Sequence, residues 1–107
     1  MQEKYAENIN NDYIIDLKSP VKIGDVEYTD KIDMSGVENL TGFQISKAVN
    51  SVTKSGIPIV AYQANLDVLS SLAAIILKCT PEDIKELKGN LFSKITMVIQ
   101  SFLLSME

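Results

Sequence analysis

The chain has 107 residues, 46% of them apolar, a net charge of −4, one cysteine and no histidine. That is enough apolar content for one modest core, with no disulfide framework and no ordinary zinc site. All ten basic residues are lysine, so the guanidinium forks that read guanine edges and grip phosphates are missing, and an acidic chain repels nucleic acid.

The charge is uneven along the chain. Residues 1–39 carry nine acids against four lysines, whereas the remainder has five acids and six lysines. Residues 1–12, MQEKYAENINND, read as a flexible polar leader, with neither the basic start nor the apolar stretch of a signal peptide. No apolar run reaches the roughly 18 residues of a membrane span. The expected location is therefore the cytoplasm, with no membrane partner.

A single α+β domain is expected over residues 13–107, with a β-hairpin at about 13–34. Val26, Tyr28, Ile32 and Met34 fall on even positions and so on one face of a strand. Gly24-Asp25 offers the positive φ of a tight reversal, placing strands near 13–22 and 26–34. Pro20 lacks an N–H, so the first strand must lie at an edge or bulge there.

Helices follow. Thr41 and Gln44 have capping-box spacing, Leu40 and Ile45 form the matching staple, and Ile45, Ala48, Val49 and Val52 make one stripe. This predicts a helix over 42–55, stopped by Gly56 and Pro58. Residues 57–64, interrupted by Pro58, read as a buried crossing or short extended piece.

A second helix is expected over 65–78, with Asn65 as its cap. Its polar face holds only Asp67, Ser70, Ser71 and Lys78. Leu66, Leu69, Leu72, Ala73, Ile76 and Leu77 cover one side, and Val68, Ile75 and Cys79 widen the apolar arc. Such a helix is central, or shares a face with a partner. A lone cysteine at its end reads as a small core residue.

Thr80, Pro81, Glu82 and Asp83 start a short helix over 81–88, and Asn90 is expected to cap a last one over 90–105. In the last helix Leu91, Phe92, Ile95, Val98, Ile99, Phe102, Leu103 and Met106 form the core stripe. Met97 and Leu104 fall off it, seven residues apart and so nearly stacked.

Chemistry is scarce. Without histidine the commonest general base, nucleophile activator and metal ligand is gone. No two glycines are spaced to cradle a phosphate, and no cofactor is expected. Asp12, Asp16, Asp25, Asp30 and Asp33 read as a solvated surface that protects the hairpin's edges. A binding protein is therefore expected rather than an enzyme. Its candidate partner-contact residues are Val68 and Ile75 on the second helix, and Met97 and Leu104 on the last.

The order of these pieces resembles the tail assembly chaperone family of long-tailed bacteriophages, in the branch found in Mu-like and related phages and prophages. The segments that carry the resemblance are IIDLKSPVKIGDVEYTDKIDM, LTGFQISKA and TPEDIKELKGNLFSKITMVIQSFL, with Leu40-Thr41-Gly42 and the spacing of Leu87, Phe92 and Phe102 as its marks. In many relatives an acid follows the Leu-Thr-Gly; here Phe43 and Gln44 stand there, which leaves the capping chemistry intact.

The resemblance implies a non-enzymatic chaperone that coats the long helical tape-measure protein in the bacterial host cytoplasm. It also implies help in bringing tail-tube subunits on, and absence from the finished virion. Many family members have a frameshifted longer product, beside which this sequence would be the short form. Self-association through the same helix faces would give a homo-oligomer. One alternative is a structural subunit retained in the tail, such as a tube-end or connector protein, which the lack of a strand-rich pattern opposes. Another is an acidic regulator, antitoxin-like, which draws only on the charge of residues 1–39.

Overall fold

The computed structural model describes residues 13–54, 56 and 61–105. The expected leader over 1–12, the last residue of the helix expected over 42–55, the first half of the crossing piece (57–60), and Met106 of the last stripe lie outside the described residues. The fold is α+β, an N-terminal hairpin followed by a small bundle of helices.

The hairpin holds four short strands, β1 (Ile14–Asp16), β2 (Val21–Ile23), β3 (Val26–Tyr28) and β4 (Lys31–Asp33). At the tip β2 pairs antiparallel with β3, Ile23 opposite Val26; at the base β1 pairs antiparallel with β4, Ile15 opposite Ile32. Between the two ladders, residues 17–20 on one side face only 29 and 30 on the other. The excess sits at Lys18-Ser19-Pro20, where proline cannot donate to a ladder, so the two long strands expected from the sequence are each broken in two.

Gly24 takes φ 61° in the tip turn, where glycine suits the first central position of a type II′ reversal. The tip is also pressed against the helices. A Cβ on Gly24 would stand 3.1 Å from Cys79 Cβ and 3.3 Å from Asp83 Oδ2. Ile15, Ile23, Ile32 and Met34 are buried beneath the helices, whereas Val26 is exposed. The helical layer covers Ile23 but not its cross-strand neighbour at the tip, so the even-numbered face is only partly a core face.

A 3₁₀ turn, Ser35–Asn39, follows β4 and buries Val37. Asp33 Oδ1 accepts from Ser35 N at 2.9 Å, and this bond holds the Asp33 carboxyl below the usual carboxylate range. Its contribution is present above that range and is lost as the pH falls through the lowered folded value.

Helix α1 (Gly42–Thr53) begins at the expected capping box. Thr41 Oγ1 accepts from Gln44 N at 3.1 Å, and Gln44 Oε1 accepts from Thr41 N at 3.0 Å. Leu40 and Ile45 both pack on the core beside it. After a 3₁₀ turn at Tyr62–Ala64, Asn65 Oδ1 accepts from Asp67 N and Val68 N and opens α2 (Leu66–Leu77).

Helix α2 is the centre of the fold, packed against α1, against the short α3 (Pro81–Lys85) and against α4 (Gly89–Ser105). Ser70, assigned to its polar face by periodicity, is wholly buried and donates to Leu66 O at 2.7 Å. That bond inside its own helix satisfies the hydroxyl, so serine can stand in the core. Leu66 departs the other way, exposed at the first turn.

Two backbone signals end and restart the chain. Lys78 closes α2 in the left-handed region, φ 59° and ψ 50°, with Cys79 N donating to Ala74 O at 3.0 Å. Thr80 and Asp83 then cap α3 reciprocally, at 3.2 and 3.1 Å. Lys85 Nζ meets Asp67 Oδ1 at 2.7 Å, a half-exposed pair that contributes little beyond orientation. The last helix starts before its expected cap: Phe92 N donates to Lys88 O at 2.8 Å, which places Asn90 inside the first turn.

Opposite outcomes are expected at the two positive-φ positions. Gly24→Ala should lower stability by about 1–2 kcal/mol, since it adds left-handed strain and the close Cys79 contact. Lys78→Gly should raise stability by roughly 0.5 kcal/mol, the relief of left-handed strain less the extra chain entropy of glycine. Urea unfolding midpoints check both.

Candidate partner-binding surface

Helix α4 turns Ile95, Ile99 and Leu103 into the core, with Leu91, Phe92, Val98 and Phe102 flanking them. Thr96, on the same buried side, donates to Phe92 O at 3.0 Å and Ser93 O at 3.1 Å. The outward side keeps large apolar groups in solvent, with Met97 60% and Leu104 51% exposed. Both sit where their off-stripe spacing placed them.

The pair expected on α2 divides. Ile75 is 39% exposed and stays available, but Val68 is 0% exposed and is corrected to a core residue. The two lie nearly two turns apart on one side of the helix. Val68 falls where the neighbouring elements close over α2, and Ile75 falls where they do not. No partner could reach Val68 in this fold.

The structure also shows a groove that periodicity did not reveal. It holds about 690 Å³ and runs between β1 and α4. Tyr13, Ile14, Ile15 and Asp16 form one wall; Lys94, Met97, Val98, Ser101, Phe102 and Ser105 form the other. Met97 is the one sequence-predicted contact residue that lines it. Leu104 and Ile75 stand outside it.

Two more exposed apolar side chains were not foreseen. Phe43, at the start of α1, is the most exposed large apolar residue described. Its signal was visible, since it falls off the Ile45, Ala48, Val49 and Val52 stripe. Leu66 lines a smaller cleft with Lys85, Leu87 and Phe92, where α2, α3 and α4 meet.

Cys79 lies half-buried under the hairpin tip. Burial pushes its thiol up, and the nearby Asp83 carboxylate pushes it further. Tyr28 is raised as well, first by burial and then by Cys79. A thiol held protonated is a poor nucleophile. Among the described residues no three His, Cys, Asp or Glu side chains converge as metal ligands, and no helix is long and apolar enough to cross a membrane.

Compared with protein-family models, with curated proteins and with solved structures, the chain matches none.

Val68→Ala should cost about 2 kcal/mol, whereas Met97→Ser and Leu104→Ser should each stay within about 0.5 kcal/mol, read by thermal or urea unfolding. Cys79 should react with iodoacetamide more slowly than an unhindered cysteine near neutral pH. The rate should climb as the pH passes above the ordinary thiol range, because only the thiolate attacks.

Proposed function

We propose that this protein works by lending apolar surface to another chain, as a tail assembly chaperone of the long-tailed phage type. Its client is the long helical tape-measure protein, which it keeps from aggregating while tail-tube subunits are brought on. It acts in the host cytoplasm and does not stay in the particle. The resemblance of the hairpin, the Leu-Thr-Gly helix start and the closing helix supports this reading.

One structural observation carries it. Met97 and Leu104 stand together on the outward side of a helix whose other side is committed to the core. Aligned large apolar groups on a peripheral helix match an apolar stripe on a client. Phe43 and Ile75 add further apolar exposure on other helices. The acidic charge of residues 1–39 keeps a complex with a sticky client soluble.

The test is co-expression with tape-measure fragments. The double variant Met97→Glu, Leu104→Ser should keep the wild-type circular dichroism and melting temperature. It should bind at least about tenfold more weakly, a loss of about 1.4 kcal/mol. Unchanged binding with an intact fold overturns the assignment of these residues.

A further inference from the structure

The groove between β1 and α4 has an unused row of backbone groups along one wall. Met34 N donates to Tyr13 O at 2.7 Å, and Leu17 N donates to Asp30 O at 2.8 Å. In an antiparallel ladder hydrogen-bonded pairs alternate with non-bonded ones. Tyr13, Ile15 and Leu17 therefore face β4, and Ile14 and Asp16 turn their N–H and C=O groups the other way. Among the described residues no strand pairs with that edge.

We infer that the groove takes a client segment in extended form, added to β1 as a further antiparallel or parallel strand. The inference rests on the chaperone reading and specifies how the client is held. Backbone chemistry decides between an extended and a helical occupant. A helix spends its own N–H and C=O groups internally, so one lying here would bury the groups of Ile14 and Asp16 unpaired, at about 1–3 kcal/mol each. An extended segment pairs with them.

The opposite wall fits such a segment in length. From Lys94 to Ser105 α4 rises about 16 Å, the span of about five extended residues. Met97, Val98 and Phe102 offer apolar contact to every second side chain. Charge complementarity adds a further requirement. Asp16 on the β1 wall and Lys94 on the α4 wall both lack an ion-pair partner among the described residues, and of the two walls α4 is the one that side chains of the segment meet. The segment is therefore an alternating apolar one that carries a carboxylate toward Lys94.

Amide hydrogen exchange on the full chain, with and without a co-purifying tape-measure fragment, tests this. Bound fragment should slow exchange at Ile14 and Asp16 at least about tenfold. Lys94→Glu, an exposed change that leaves the fold intact, should weaken binding about threefold or more, with a reduced salt dependence. If the fragment binds and Ile14 and Asp16 exchange as before, the client lies on α4 as a helix; strand addition is overturned and the chaperone reading stands. If the two amides are already slow without fragment, this chain covers its own edge, or a second copy does where the effect grows with concentration, and strand addition is again overturned. If no fragment binds, both readings fall.

Discussion

Burial of α2 is the constraint from which the rest of the architecture follows. Val68, Leu69, Ser70, Leu72, Ala73, Ala74 and Leu77 are all enclosed, so the helix needs neighbours on nearly every side. It gets them from α1, α3 and α4, while the hairpin presses its tip onto the junction at Cys79 and Asp83. At roughly 1.5–3 kcal/mol for each large apolar side chain, this burial outweighs any single cap or ion pair described above. It also sets what remains on the outside. A neighbour of α2 can give it only one side, and α4, 17 residues long against 12, has outward surface for which the domain has no use.

Local signals in the sequence were legible because they are closed by atoms a few residues apart. The Thr41 and Gln44 box, the one-way Asn65 cap and the Thr80 and Asp83 box around Pro81 are bonds closed within one turn, independent of the rest of the fold. The break at Pro20 belongs to the same class, since a missing N–H acts wherever the strand runs. Lys78 was not legible as a left-handed terminus because glycine or asparagine is the usual mark of one. The 3₁₀ turn after β4 left only the faint trace of Asp33 two residues before Ser35.

Side-chain exposure was legible in angle but not in height along a helix. Val68 and Ile75 point the same way, yet one is sealed and the other half in solvent, because periodicity says nothing about where a neighbouring element ends. Met97 and Leu104 were read correctly for a different reason. They lie on a peripheral helix, where one angle stays outward over its whole length. Ser70 and Leu66 reverse the polarity rule within one turn: a satisfied hydroxyl tolerates the core, and the first turn of a helix projects past it.

The groove could not be found in the sequence at all, because its walls come from the two ends of the described chain and meet only in three dimensions. Its two sides differ in kind. Helix α4 spends the backbone groups of its middle turns internally and presents side chains, whereas β1 presents the main chain itself. A surface of this kind can be tight and yet permissive, since backbone pairing accepts almost any sequence and the α4 wall asks only for alternate greasy residues and one carboxylate toward Lys94. Met97 extends that tolerance, because an unbranched thioether side chain repacks around different shapes at little cost.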